Sequence, residues 1–462
     1  MGTYSQKLAD FVCGLKFQDL PEEIRRRVRF SALDNIGVTL AGHRHESARV
    51  AVDLVRSYGG TPESTVFGYE DKLPAHASAL ANSVAAYSTE LDDHISHTHS
   101  LNHPGVVTWP AAFAVAEKAG ASGEKLMVSA VIGYELTSRL NVATTDLDRG
   151  FHVTALCGNF GAAATTASLL GLTSDQLANA FGICGGMAAG SSEFRYTGAW
   201  TKPLQAGWAC HGGIISAELA LRGFTGPSTI LEGKAGFFRS YVGEGNYNLE
   251  PLTAGLGRDF EFRDIIYKPF ACKGEMHSPL TAAQQLLSKH RVKPDQIDKV
   301  IVRTRESLVH LGTIPAELRL RPKTTLDAQY SLPYSLATFL YFGRAFLDEF
   351  SEKARSHPGV LDLVSRVHCI GDPEMDRRYP QEEPAEVTLR MKDGTEYTAA
   401  VDFAKGSLGS PLTEEELREK FRVLTDGILA KESAEAIIHM TSNLEKLRNV
   451  RELIKAIAPL PR

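Results

Sequence analysis

Cysteine is scarce and scattered in this chain. Cys13, Cys157, Cys184, Cys210, Cys272 and Cys369 form no CxxC pair. That excludes the disulfide framework of a small secreted domain and points to a reducing compartment. No stretch holds about 18 uninterrupted apolar residues, so nothing reads as a membrane-spanning segment. A basic excess is also missing: 50 Lys and Arg face 55 Asp and Glu, a net charge of -5, which argues against a nucleic-acid partner. The N-terminal stretch lacks the basic region, apolar run and small-residue cleavage site of a secretory signal, and the expected location is the cytoplasm. Internal repeats and low-complexity segments are absent too. What is there is the composition of a soluble, core-forming chain: 462 residues, 43% hydrophobic and 23% charged, with a mean hydropathy of -0.15. That length accommodates two domains, or one large domain with an insertion. An anionic small ligand would have to be met by locally placed lysines and histidines.

Helical signals dominate the first half. Pro21, Glu22 and Glu23 make a favourable first turn, and Ile24, Val28, Leu33, Ile36 and Leu40 follow as an apolar stripe that Gly42 ends. Residues 108–118 and 124–141 continue in the same manner. Thr173 and Gln176 have capping-box spacing. Residues 154–222 are rich in Ala and Gly, including Gly161 and Gly212-Gly213, and glycine costs an isolated helix about 1 kcal/mol relative to alanine. Its use here implies helices packed backbone to backbone. Beyond residue 268 the period changes. Val300, Val302 and Thr304 alternate with Ile301 and Arg303 as in a strand. Val387, Leu389 and Met391 lead through Asp393-Gly394 to Tyr397, Ala399 and Val401, a hairpin signal. Helical stretches lie between, at 280–289 and 331–342. A second capping box, Thr413 to Glu416, reopens helix toward Phe421. The expected class is therefore mainly α: a large helical domain built from both chain ends, 1–267 and 405–462, with a smaller inserted α+β domain, 268–404, able to act as a lid.

The densest chemistry lies at 89–110. Asp92 and Asp93 are followed by His94, His97, His99 and His103. Histidine both takes and gives protons near neutrality, and an adjacent carboxylate fixes its tautomer. Three readings stay open: acid/base machinery, a metal site using His97 and His99 with His94 or His103, and a polar loop of solvated histidines. The metal reading fits no familiar zinc spacing. His103-Pro104-Gly105 reads as a turn that stops the chain and aims the histidine outward. His152 precedes the Gly/Ala-rich run, where a helix start can meet an anion. Lys202 precedes Pro203 at an expected helix N-terminus, where its charge is unfavourable unless it serves an anion; the alternative is a solvated surface lysine. Residues 267–277 place Lys268, Cys272, Lys273 and His277 at the domain junction, with Cys272 expected as a buried small apolar residue. Tyr330 is either a phenol donor or core.

Taken in order, Ala32-Leu33-Asp34-Asn35-Ile36-Gly37, Glu90-Leu91-Asp92-Asp93, His103-Pro104-Gly105, Gly133-Tyr134-Glu135, Phe151-His152, Thr201-Lys202-Pro203-Leu204, Lys268-Pro269-Phe270 through His277, and the glycine-rich Lys405 to Phe421 segment resemble the MmgE/PrpD family across nearly the whole chain. Family members include 2-methylcitrate dehydratase, cis-aconitate decarboxylase and iminodisuccinate epimerase. The resemblance implies a homodimer without metal or cofactor, acting on a small di- or tricarboxylate in a cleft lined by Asp93, His103, His152, Lys202, Lys268, His277 and Tyr330. It further implies substrate contacts from His97, Thr201 and Lys273. These reactions all make or quench a carbanion-like centre beside a carboxylate, which needs a positioned acid or base and cations to absorb charge. The expectation is a lyase in which His103, oriented by Asp93, moves the proton. Lys202, Lys268 and His152 would bind carboxylates, with His277 and Tyr330 entering from the lid. An epimerase with the same equipment is the nearest alternative, and a metal-dependent hydratase using His94, His97 and His99 the next. The sequence departs from the dehydratase pattern at Asp92-Asp93-His94-Ile95-Ser96, where that pattern continues with Thr and Trp, so methylcitrate is one candidate among several.

Overall fold

The computed structural model describes residues 2–95, 102–144 and 149–457. They form two compact units: Met1–Phe194 with Trp200–Ile265 and Thr413–Arg462, and Ile266–Leu412 with Arg195–Ala199.

The first unit is helical. The helices that matter here are α1 (Glu22–Gly42), α2 (Ala75–Tyr87), α3 (Gly105–Ala119), α4 (Gly123–Val142), α5 (Val153–Leu170) and α6 (Thr201–Leu221). The expected stripe of α1 is buried at Ile24, Val28, Leu33, Ile36 and Leu40. At Thr173 the capping box forms in both directions. α5 has the length and composition to cross a membrane, yet it is buried among its neighbours. Its small residues explain the tolerance of glycine. A Cβ added to Gly213 on α6 would lie 2.5 Å from Ala162 Cβ and 2.6 Å from the Asn159 carbonyl oxygen on α5. These helices meet at backbone distance, and burial rather than propensity holds them.

The second unit carries helix α7 (His277–Lys289), strand β1 (Ile297–Thr304), helix α8 (Leu332–Phe342), and strands β2 (Val367–Gly371), β3 (Ala385–Met391) and β4 (Glu396–Val401). The strands form one sheet in the order β2-β1-β3-β4. β1 pairs antiparallel with β3, Val302 opposite Val387, and β3 with β4 in the expected hairpin, Val387 opposite Ala399. On β1 the alternation reads directly as burial, with Val300 and Val302 inward. β2 was not expected. It pairs parallel to β1 at the sheet edge; no residue on it is fully buried and the apolar Ile370 lies on its exposed side, so its sequence shows no polar/apolar alternation.

The unit boundaries differ from the expected 268–404. Residues up to Leu412 stay with the second unit: Lys405 N–H donates to Thr281 Oγ1 at 2.9 Å on α7. Arg195–Ala199 joins it as well, because Arg319 Nη2 donates to the Arg195 carbonyl at 3.3 Å. Gly198 there has φ 68° and sits where a Cβ would be 2.9 Å from Thr324 Oγ1. No local pattern announces such a contact across about a hundred residues.

Candidate active site

In the helical unit four helix ends come together. Tyr87 closes α2, His103 and Pro104 open α3, His152 is the N-cap of α5, and Lys202 lies in the first turn of α6. Tyr87 joins them. Its ring centroid is 5.0 Å from that of His103, its hydroxyl is 3.2 Å from His152 Nε2, and Lys202 Nζ lies 4.2 Å from its centroid. All four side chains are buried. Three of these ends are helix N-termini, whose partial positive charge suits an anion.

The tandem aspartates divide their work differently from the expectation. Asp92, not Asp93, is the carboxylate on His103: its Oδ2 is 2.6 Å from Nδ1. The Asp93 backbone carbonyl stands 3.2 Å from the same nitrogen. Two acceptors around Nδ1 place the hydrogen there, which leaves Nε2 as the nitrogen that can take or give a proton. The Asp93 carboxylate turns into the scaffold. It accepts from Gly105 N–H at 3.1 Å, the start of α3, and from the Tyr134 hydroxyl. Tyr134 is 2.7 Å from Ser31 Oγ, which accepts from Trp109 Nε1 at 2.7 Å. Burial raises the Asp93 carboxyl to about 7, with nearby Asp34 and Asp92 adding to the shift and the Tyr134 bond opposing it. The cause of the division is geometric. Asp92 and Asp93 leave the chain on different sides here, so one carboxylate faces the imidazole and the other the helix start.

The turn at 103–105 likewise behaves differently from its reading. Pro104 is the N-cap of α3 rather than a stop, and His103 is 7% exposed, aimed inward. His152 has a fixed tautomer of its own. Gln205 Nε2 donates to the Ser191 carbonyl at 2.9 Å, so its Oε1 faces His152 Nδ1 at 2.8 Å. That nitrogen therefore carries the hydrogen, and Nε2 accepts from the Tyr87 hydroxyl. Lys202 is no surface lysine; it is 3% exposed and ion-paired with Glu90. His94 is buried, its ring 5.7 Å from that of His103. Thr201 goes elsewhere. One residue from Lys202 on a helix is a rotation of about 100°, and its exposed side chain lines a surface groove with Trp200, Leu204 and Trp208. His97 and His99 lie outside the described residues.

The second unit holds the other expected residues. Lys268 and His277 are buried, and His277 opens α7 with Nε2 3.2 Å from the Cys272 carbonyl. Cys272 itself is fully buried, as an apolar residue would be. Lys273 pairs with Glu275. Burial lowers the Lys273 ammonium below its ordinary range despite the attraction of Glu275. Burial works against the Glu275 carboxylate too, but Lys273 outweighs it and holds the group at about 2. Buried Tyr330 has Lys273 Nζ and Arg319 Cζ each 5.8 Å from its centroid. The sequence reading missed Tyr87, Glu90, Gln205 and Arg319 as site residues. Only Glu90 carried a signal, its place beside Asp92-Asp93.

Comparison with known proteins places the chain in a family. The MmgE/PrpD N-terminal domain model matches residues 6–250 and the MmgE/PrpD C-terminal domain model residues 270–446. The chain belongs to the MmgE/PrpD family. Among its relatives, cis-aconitate decarboxylase-like protein oryM of Aspergillus oryzae is 29% identical, over 99% of this chain and 98% of the relative. Cis-aconitate decarboxylase of Aspergillus terreus is 28% identical, over 98% of this chain and 95% of its own. The human cis-aconitate decarboxylase is 27% identical over the same shares.

Proposed function

We propose that this protein is a lyase that decarboxylates a small unsaturated tricarboxylate of the cis-aconitate type. The observation that carries the reading is the buried Asp92–His103 pair, with His152 and Lys202 gathered around the same tyrosine. End-to-end similarity to cis-aconitate decarboxylases supports the choice among the family's reactions.

The chemistry follows from the geometry. Breaking the bond to the departing carboxylate leaves its electron pair on carbon, delocalised toward a remaining carboxylate as an enolate. Lys202 and the three helix N-termini stabilise that charge. One proton must then reach carbon. His103 delivers it from Nε2, and Asp92 stabilises the imidazolium before transfer and fixes the ring afterwards. The trianion plus one proton gives a dianion and carbon dioxide, so charge and atoms balance. The family resemblance assigns Lys268, His277, Tyr330 and Lys273 of the second unit to the same reaction as carboxylate and proton contacts.

Proton NMR in deuterium oxide, on chelator-treated protein with cis-aconitate, 2-methylcitrate, citrate and iminodisuccinate, tests the reading. The expected result is a dicarboxylate carrying one deuterium, formed from cis-aconitate alone and lost in His103→Ala. Deuterium exchange into an acid that loses neither carbon dioxide nor water would make the protein an epimerase. Turnover only after metal is restored would shift the chemistry to His94, His97 and His99.

A further inference from the structure

Glu90 is the one non-glycine among the described residues with positive φ, 53°. A left-handed backbone is strained for a side chain of this kind, and an outlier of that sort persists only where its surroundings enforce it. Its carboxylate meets Lys202, and the two side chains are 2% and 3% exposed. Burying such a pair gains little stability over apolar side chains of similar volume. Lys202 also lies in the first turn of α6, where the helix dipole disfavours a cation. Three locally unfavourable choices thus coincide in one ion pair, and they coincide beside Tyr87, His152 and His103. Natural sequences break several local rules together where function requires it.

We infer that Glu90 is a positioning residue for Lys202. Resting on the proposed lyase reading, it assigns the pair to substrate alignment rather than to structural bracing. A lysine stem has four rotatable carbons and no intrinsic direction. Glu90 fixes the ammonium from one side and the Tyr87 ring from another. The substrate carboxylate then meets a cation in one place, with the reacting carbon aligned to His103. The positive φ falls where the Glu90 carboxylate turns to Lys202, while Asp92, two residues on, reaches His103.

The test is a split between kcat and KM, paired with thermal melting. Glu90→Gln keeps the shape and removes the charge. A lysine that still binds the carboxylate but no longer holds it in one orientation costs alignment, so kcat falls about 100-fold while KM changes less than about threefold. Unchanged kcat, or a loss confined to KM, overturns the inference. The double variant Glu90→Gly with Lys202→Met removes both buried charges and relieves the backbone. Its Tm is expected at or above that of the wild type, with turnover lost; a Tm several degrees lower makes the pair a structural brace and also overturns the inference. Should the wild type turn over no acid in the NMR panel, the lyase reading falls by itself. The melting comparison then decides whether the pair is bracing or is held at a cost.

Discussion

The helical unit and the α+β unit both bury charge, but they satisfy it differently. In the helical unit most buried charges have a definite counter-group: Asp92 with His103, Glu90 with Lys202, Glu135 with Arg139, and Asp34 with Lys420 at 2.7 Å. The residues of the candidate site there sit at the ends of long helices whose close packing leaves them little freedom. In the α+β unit Lys268, Lys273 and Tyr330 sit on short connecting segments, and only His277 opens a long helix. Arg319 is 3% exposed, yet it donates only to the carbonyls of Arg195 and Asp327, at 3.3 and 3.5 Å, and its Nε has no partner. A guanidinium has five donors to satisfy, and leaving one buried and unmet costs stability. On the proposed reading, the first unit supplies the preorganised proton-transfer groups and the second further cations for the substrate. Substitutions in the first should fall on kcat, and those in the second on KM.

The sharpest way to break this contrast is the tandem aspartate. His103→Gln should lower kcat by about 10³-fold, and Asp92→Asn by about 10²-fold or more, as losses of a proton-transfer group and of its orienting carboxylate. Asp93→Asn should cost about tenfold at most, because its carboxylate supports α3 instead of the imidazole. Steady-state assay of carbon dioxide release ranks the three; an Asp93 effect larger than that of Asp92 would undo the division of roles.

Stability against pH gives a second test of the same residue. Burial raises the folded Asp93 carboxyl to about 7 from an ordinary value of 3.8. Between those values the folded state binds more protons than the unfolded state, so this group makes stability fall as pH rises. Asp93→Asn removes that dependence. Urea unfolding should show the variant gaining up to a few kcal/mol on the wild type between pH 4 and pH 8, with the gain complete above pH 7. A constant difference across that range would mean that Asp93 is ionised throughout.

The smallest expected effect lies in the α+β unit. Lys273→Met should raise KM about tenfold with kcat nearly unchanged, the loss of one charge-assisted contact to a carboxylate. Burial already lowers the Lys273 ammonium, and Glu275 opposes that shift. Glu275→Gln should therefore lower it further. The cationic form would be lost earlier as pH rises, and the alkaline increase in KM would move to lower pH. Measuring KM across pH in both proteins reads this directly, and an unmoved profile would separate Glu275 from Lys273 function.

Much of this was legible in residue order. The stripe of α1, the capping boxes at Thr173 and Thr413, the Gly/Ala-rich packing of α5 against α6 and the β3–β4 hairpin all follow from period and turn chemistry. His103 stood out because imidazoles cluster beside Asp92-Asp93, and His152 and Lys202 because they stand where helices begin. Harder to read were Tyr87, an aromatic at a helix end like any core residue, and Arg319, whose partners lie on Arg195 and Asp327. The edge strand β2 hid behind its half-exposed faces.

The sequence by itself determined most of the helices and the β3–β4 hairpin, that a second unit begins near residue 268, and which residue types carry the chemistry. These depend on patterns a few residues long. Only the tertiary structure decided which aspartate serves His103, that Lys202 is buried on Glu90, that Thr201 faces a different groove, and that Arg195–Ala199 belongs with the second unit. Those outcomes depend on which side of a turn each side chain leaves and on contacts between segments far apart in the chain. Both are fixed by packing and not by any local pattern.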